Sequence, residues 1–115
     1  MALQTVRHAL AGIGIAVALA SAAPGAQAQD AEAAQALVRK SDCLKCHAVD
    51  KKKDGPSFKE TAGKYRGKAD AEDKLFTHLT THPKVKVDGK EEEHASLKTG
   101  NNDEVRNVIK WVLSR

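Results

Sequence analysis

The chain has 115 residues, a formal net charge of +4 and only 3% aromatic residues, which is enough for one small domain. Acidic and basic residues are mixed along the chain, so the weak basic excess does not indicate a nucleic-acid-binding protein. A domain of this size with so few large apolar side chains usually needs a disulfide, a metal or a cofactor to complete its core.

The first stretch of the chain has the pattern of an export signal. Arg7 precedes an apolar run of small residues over positions 9–23, and residues 26–28 (AQA) match the small-x-small cleavage pattern. The run is short and rich in alanine and glycine compared with a membrane-spanning helix. We therefore predict a signal peptide over residues 1–28, a mature domain over residues 29–115 and a periplasmic location. An uncleaved N-terminal anchor is the alternative.

The rest of the chain predicts four helices and no strand. They cover residues 31–42, 57–65, 70–81 and 101 to the C-terminus. Asp30 is placed to cap the first helix, Pro83 prevents the third from continuing, and Asn101 with Glu104 resembles a capping box at the start of the last. Residues 82–100 are expected to form a long irregular loop, and such loops tend to be functional. The predicted fold class is all-α.

Between the first two predicted helices lies the sequence Cys43-Leu44-Lys45-Cys46-His47, a C-x-x-C-H motif. This motif is typical of c-type haem attachment. Two thiols three residues apart can reach the two vinyl groups along one haem edge, and the next residue then points its imidazole at the iron. We predict one covalent haem c held by Cys43 and Cys46, with His47 as an iron ligand.

Three other interpretations of this cysteine pair fit less well. A thioredoxin-like redox pair is expected in a βαβ setting, which the pattern lacks. A zinc site needs two further ligands at a suitable spacing, and the sequence holds no second C-x-x-C or paired-histidine element. A disulfide between cysteines this close would stabilise little, because it closes a very small loop. The motif therefore favours haem.

With this motif in place, the chain resembles the short bacterial class I cytochromes c over nearly all of residues 29–115. The segments that carry the resemblance are the helix before the motif and residues 47–50 (HAVD), 55–59 (GPSFK), 64–69 (KYRGKA) and 108–114 (VIKWVLS). The resemblance implies a small cytochrome c fold of about four helices wrapped around one haem, with the first and last helices crossing. It also implies that the Pro56 carbonyl accepts a hydrogen bond from the His47 ring.

The chain departs from this family at the second axial ligand, which is normally a methionine from the late loop. The only methionine is Met1, inside the predicted signal peptide. His94 lies in the late loop, about where the family's methionine sits relative to the last helix. Because a neutral imidazole is a good ligand for haem iron, we predict axial ligation by His47 and His94.

Other candidates for the sixth position remain open at the level of sequence. His82, next to Pro83, lies in a loop that could also reach the haem. A lysine or an empty sixth position is the remaining alternative. His78, on the third predicted helix, is expected on the helix surface or against a haem propionate.

These features predict a one-electron carrier that converts no substrate and is not an enzyme. Imidazole in place of a thioether favours ferric iron, so we expect a lower potential than in methionine-ligated relatives. The expected partners are periplasmic or membrane-bound oxidoreductases, and nucleic acid is not expected to bind. We expect a monomer without a transmembrane segment in its mature form. The alternative function is haem-based ligand binding or gas sensing, with a displaceable sixth ligand.

Overall fold

The computed structural model describes residues 29–115, so the predicted signal peptide lies outside the described residues. Within that range the chain forms four α-helices, one turn of 3₁₀ helix and one two-stranded sheet. In chain order these are α1 (Ala31–Lys40), the 3₁₀ turn (Cys43–Lys45), α2 (Phe58–Tyr65), α3 (Ala71–Thr80), β1 (Lys84–Val87), β2 (Lys90–Glu93) and α4 (Asn102–Leu113). None of the described helices is long and apolar enough to cross a membrane.

The first two helices begin at side-chain caps. The Asp30 carboxylate accepts a hydrogen bond from the Ala33 amide at 3.0 Å. At the start of α2 the Ser57 hydroxyl accepts from the Glu60 amide at 3.0 Å, and the Glu60 carboxylate accepts from the Ser57 amide at 2.7 Å. Each cap gives a partner to amides that the helix itself leaves free. The start of α2 is thereby fixed close to the C-x-x-C-H motif.

The last helix begins at Asn101, but not through the predicted capping box. The Asn101 side chain accepts from the Asp103 amide at 2.9 Å. The Glu104 carboxylate does not reach back to the Asn101 amide and instead accepts from the Thr99 hydroxyl. The Asn101 amide donates to the same hydroxyl at 3.1 Å. The predicted box is wrong in its second half because Thr99 is the nearer partner for both groups.

The core lies where α4 packs against the other three helices. The buried residues of α4 are Val105, Val108, Ile109, Trp111 and Val112, and those of α1 are Ala34, Leu37 and Val38. The Phe58 ring of α2 meets the Trp111 ring edge-on, with centroids 5.4 Å apart. The first and last helices contact each other, as the family resemblance implies.

A side-chain clasp joins the start of the domain to α4. The Asn107 amide oxygen accepts from the Asp30 backbone N–H at 2.8 Å, and the Asn107 amide nitrogen donates to the Asp30 carbonyl at 2.8 Å. The Gln29 side chain also donates to the Ser114 hydroxyl at 3.1 Å. The two ends of the described chain therefore meet.

The predicted irregular loop over residues 82–100 is partly wrong, since β1 and β2 form an antiparallel hairpin there. Val85 and Val87 alternate with lysines, which is a strand pattern. Asp88 and Gly89 form the two-residue turn, with φ of +49° and +77°. Positive φ at both central residues is the requirement of the favoured hairpin turn, and Asp-Gly is a preferred sequence for it.

The hairpin register pairs opposite charges across the two strands. Lys84 lies opposite Glu93, and Lys86 lies opposite Glu91. Residues directly opposite each other in an antiparallel pair share a face of the sheet, so these charges attract. Glu91 and Glu93 thereby favour this register electrostatically, while Glu92 lies opposite Val85.

Candidate haem site

A cavity of about 500 Å³ lies between the C-x-x-C-H segment, the helices and the hairpin. Its walls are mostly apolar, with contributions from all four α-helices. They include Val38, Phe58, Leu75, Leu79, Val108 and Ile109, with Val85 and Glu92 from the hairpin. The volume is in the range of sites that bury small molecules and cofactors.

The attachment segment forms one wall of this cavity. Asp42 has a left-handed backbone (φ +61°) and breaks the chain away from α1 just before the 3₁₀ turn. Both Cys43 and Cys46 line the cavity, and no disulfide joins them. Burial raises the pKa of the Cys43 thiol, while Cys46 is exposed. The structure thus brings the two predicted attachment residues to one side of the cavity.

The His47 ring is held on three sides. A hydrogen bond of 2.6 Å joins its Nδ1 to the Pro56 carbonyl oxygen, the contact that the family resemblance implies. The Phe58 ring stacks on it, with centroids 5.4 Å apart. Gly55 lies against its other side, where an added Cβ would fall 2.5 Å from His47 Cε1. With Nδ1 engaged by a carbonyl, Nε2 is the nitrogen left free to bind a metal.

His94 lies across the cavity from His47, directly after β2. Its backbone N–H donates to the Pro83 carbonyl at 2.8 Å, which closes the base of the hairpin. The His47 and His94 ring centroids are 6.0 Å apart. With metal–nitrogen bonds of about 2 Å, imidazoles on opposite sides of one metal ion have ring centroids roughly 6 Å apart. The spacing therefore fits a metal ion held between the two rings.

The surroundings of His94 keep its imidazole neutral. Burial, together with the nearby His78 and His47 side chains, lowers the pKa of His94 to about 4. Neutral imidazole is the form that binds metals. The Nδ1 atom of His94 is buried and has no hydrogen-bond partner.

The other two candidate histidines are placed differently. The His78 ring contacts the His94 ring, with centroids 4.1 Å apart, and lines the cavity. That separation is too short for the two rings to lie across a metal ion from each other. His82 is exposed, with φ of +49°, and is not among the described residues that line the cavity.

These residues fit a covalent haem. The cavity is mostly apolar and of cofactor size, and the two cysteines line one wall without a disulfide between them. Two imidazoles stand at the spacing that one iron requires. A buried, unpartnered ring nitrogen at His94 is a further sign that the site is built around a polar centre.

The sequence profile of the cytochrome c family matches residues 31–115. This chain belongs to the cytochrome c family. It is a monohaem c-type cytochrome that acts as an electron carrier, with one covalently attached haem c and its iron. The predictions of class I family, of a helical cytochrome c fold and of the cofactor are confirmed.

Individual relatives support the same assignment. The crystal structure of the class 1 cytochrome MtoD from Sideroxydans lithotrophicus ES-1 is 50% identical with a TM-score of 0.73, over 76% of this chain and 97% of that one. Cytochrome c-551 of Pseudomonas aeruginosa is 33% identical over 97 residues, which are 81% of this chain and 84% of that protein. Wild-type Nitrosomonas europaea cytochrome c552 is 24% identical with a TM-score of 0.54, over 70% and 96% of the two chains, and supports the fold alone.

Sequence reasoning missed the contact between His78 and His94. We expected His78 on the helix surface or against a propionate; it lines the cavity and contacts the His94 ring, and the propionate contact stays a prediction. The signal was present, because Leu75, His78 and Leu79 have the i, i+3, i+4 spacing of one helix face. Both leucines line the cavity, so that face of α3 carries His78 there as well.

Proposed function

We propose that this cytochrome is a periplasmic one-electron carrier with bis-histidine ligation by His47 and His94. The observation that carries the proposal is the 6.0 Å separation of the two rings across an apolar cavity. In this proposal Cys43 and Cys46 hold the haem through two thioether bonds. The haem supplies the one-electron chemistry, because its iron is stable in both the ferric and the ferrous state.

The protein's part in this function is to hold both ligands still. The hydrogen bond to the Pro56 carbonyl fixes the plane of the His47 ring and makes its imidazole a stronger ligand. The backbone bond from His94 to Pro83 ties the second ligand to the hairpin. The apolar walls exclude water from the centre. Because the ligands are fixed and water is excluded, the haem site changes little in structure when the iron gains or loses an electron.

The ligand set also determines whether the reduction potential is higher or lower than in other cytochromes of this kind. Residues 29–115 contain no methionine, so a thioether ligand from this part of the chain is excluded. Imidazole favours ferric iron relative to a thioether. We therefore propose a potential below that of methionine-ligated cytochromes. The expected result is that His94→Met raises the midpoint potential of the holoprotein.

The proposed location and partners follow from the N-terminal pattern and the family. A carrier exported by a signal peptide over residues 1–28 would exchange electrons with oxidoreductases in or facing the periplasm. N-terminal sequencing of the periplasmic protein should then begin near Gln29. A mature form that keeps Arg7 and fractionates with membranes would support an anchor instead.

The test of the ligand assignment is the spin state of His94→Ala. Wild-type holoprotein should be low-spin in both oxidation states. Removing the His94 imidazole should give high-spin character and rapid carbon monoxide binding by the ferrous form. His82→Ala is the matched control and should keep the wild-type spectra, because His82 is exposed away from the cavity.

Two results would overturn the proposal. If His94→Ala leaves the spectra unchanged while His82→Ala becomes high-spin, the sixth ligand is His82. If ferrous wild-type protein is already high-spin and binds carbon monoxide rapidly, the chain is a haem-based ligand-binding protein. Absorption spectra of the oxidised and reduced proteins, with and without carbon monoxide, distinguish these cases.

A further inference from the structure

The segment that follows β2, residues 94–98, is bonded to three other parts of the fold, and we call it the strap. The His94 N–H donates to the carbonyl of Pro83, the residue before β1, at 2.8 Å. The Leu97 N–H donates to the Leu79 carbonyl of α3 at 3.0 Å, and Leu97 is buried in the core. The strap that carries His94 is therefore held against both the hairpin and α3.

The third connection runs to the end of α1. The Lys98 N–H donates to the Ser41 hydroxyl at 2.9 Å, and Ser41 is only 1% exposed. Ser41 is itself fixed, because its own N–H donates to the Leu37 carbonyl at 2.9 Å and so continues α1. The far end of the strap is thus bonded to a rigid, buried acceptor that lies just before Cys43 in the sequence.

An ion pair joins the same two segments on the surface. Lys98 Nζ lies 2.8 Å from Asp42 Oδ2, and about half of each side chain is exposed. The Lys98 ammonium, and after it Lys45, holds the pKa of the Asp42 carboxyl below its usual value. Exposed pairs contribute little to stability and weaken with salt. The buried Ser41 bond is therefore the stronger of the two connections.

We propose that Ser41 and Lys98 form a latch that holds the strap, and with it His94, against the cavity. Because the His94 ring is packed against His78, His94 leaves the iron by movement of residues 94–98 rather than by rotation of its ring alone. That movement breaks the bond between Lys98 and Ser41. The latch therefore favours the bound ligand over the released one, since its contacts differ between the two states. Ser41 is a positioning residue that acts on His94 through the strap.

The latch matters most in the ferrous state, and it rests on the proposed ligation by His94. Imidazole favours ferric iron, so His94 is held less tightly once the iron is reduced. A carrier that keeps the same two ligands in both oxidation states rearranges little when it gains an electron. By keeping His94 in place after reduction, the latch favours electron transfer over the binding of small ligands at the iron.

The test is the rate of carbon monoxide binding by the ferrous holoprotein at saturating carbon monoxide, where release of His94 is the slow step. Ser41→Ala removes the acceptor and leaves the Lys98 N–H without its partner. We expect this variant to bind carbon monoxide faster by a factor of roughly two to ten, which corresponds to the net contribution of one hydrogen bond. Ser41→Thr keeps the hydroxyl and should stay closer to the wild-type rate.

Asp30→Ala is the matched control for Ser41→Ala. The Asp30 carboxylate accepts from the Ala33 amide at 3.0 Å, so this variant removes a bond of the same kind at the opposite end of α1. It should lower the urea midpoint without changing the carbon monoxide rate. If Asp30→Ala speeds carbon monoxide binding as much as Ser41→Ala does, the rate follows overall stability and the latch is wrong.

The ion pair gives a second and independent measurement. The wild-type carbon monoxide rate should rise with salt, because salt screens the pair between Lys98 and Asp42. Lys98→Ala should be faster than wild type at low salt, by up to about fivefold, and should lose the salt dependence. Lys74→Ala is its control, because it removes an exposed pair of the same length, 2.8 Å to Asp70, on α3. That variant should keep both the wild-type rate and its salt dependence.

The inference fails if Ser41→Ala binds carbon monoxide at the wild-type rate while His94→Ala is high-spin. Ser41 would then serve the fold alone, and the ligand assignment would stand. If His94→Ala keeps the wild-type spectra, the proposed ligation is wrong and the latch is wrong with it. Should Ser41→Ala yield no holoprotein, Lys98→Ala decides, because a wild-type rate with unchanged salt dependence in that variant would contradict the latch.

Discussion

The two walls that face each other across the cavity are built in different ways. The attachment wall, residues 43–58, is held by short-range bonds, such as Gly55 N–H to Cys46 carbonyl at 2.8 Å and Phe58 N–H to Ala48 carbonyl at 2.9 Å. The hairpin wall, residues 82–97, depends on strand pairing and on its contact with α3. The proposed ligand His47 is thus placed by residues close to it in sequence, and the proposed ligand His94 is placed by contacts between distant parts of the fold. Substitutions that disrupt the hairpin wall should release His94 from the iron. Substitutions that disrupt the attachment wall should prevent the haem site from forming.

The largest effect should come from removing either thiol of the attachment wall. Cys43→Ala and Cys46→Ala each leave one cysteine, so at most one thioether bond can form. We expect little stable holoprotein from either variant when it is matured in a host with c-haem assembly. Acid–acetone extraction followed by the pyridine haemochrome spectrum measures the covalently bound haem.

The control for this prediction is Leu44→Ala, within the same motif. Leu44 is an exposed side chain and is not among the described cavity-lining residues, so haem attachment should be normal. Wild-type amounts of covalent haem in both cysteine variants would contradict the attachment assignment.

A second test acts on the packing behind His47. In Gly55→Ala the new methyl group would lie 2.5 Å from His47 Cε1, so the ring or the loop must move. Overpacking of this kind destabilises proteins by about 1–3 kcal/mol. We expect a lower urea midpoint and an altered ferric spectrum in the holoprotein.

Gly63→Ala is the matched control for Gly55→Ala. Gly63 lies inside α2, and an added Cβ there meets nothing within 4 Å. Alanine favours a helix over glycine by roughly 0.5–1 kcal/mol, so this variant should be slightly more stable. If Gly55→Ala is as stable as wild type and has the same ferric spectrum, the chain accommodates the added methyl group beside His47 without loss of stability, and the prediction is wrong.

A smaller effect is expected from the turn of the hairpin wall. Gly89 has φ of +77°, and a left-handed backbone costs a residue with a side chain about 1–2 kcal/mol. Gly89→Val should loosen the hairpin and speed ferrous carbon monoxide binding, because His94 is then released more often. The covalent haem content should stay at the wild-type level, since the attachment wall is not touched.

Gly89→Asn should behave more like wild type, because asparagine tolerates the left-handed conformation. Gly100→Ala, at a glycine with no Cβ contact within 4 Å and no positive φ, is a second control. Equal carbon monoxide rates in Gly89→Val and wild type would mean that the hairpin does not hold the ligand.

The smallest effect should come from the charges along the hairpin. Lys86→Glu places a negative charge opposite Glu91, and cross-strand pairs of this kind contribute roughly 0.5 kcal/mol. We expect a slightly lower thermal unfolding midpoint at low salt and less difference at high salt, because salt screens exposed charges. Adding Glu91→Lys to this variant should restore the midpoint. Failure of the double variant to recover would show that the two charges do not interact.

The same comparison explains what the sequence could predict. The C-x-x-C-H segment, the Asp30 cap and the helices are set by contacts between near neighbours, so their patterns are legible in the sequence. The hairpin was overlooked because its strands are short and charged, although Asp88-Gly89 is a recognisable turn signal. The contact between His78 and His94 joins α3 to the hairpin wall. Local sequence patterns do not indicate which distant residues come into contact when these elements pack.

The clasp between Asp30 and Asn107 has a consequence for how the molecule opens. Its partners are 77 positions apart in sequence, yet neither end of the domain can fray without breaking the bonds of the other. The start of α1 and the middle of α4 should therefore behave as one cooperative unit in native-state hydrogen exchange. Their amides should share a single opening free energy, although they belong to opposite ends of the chain.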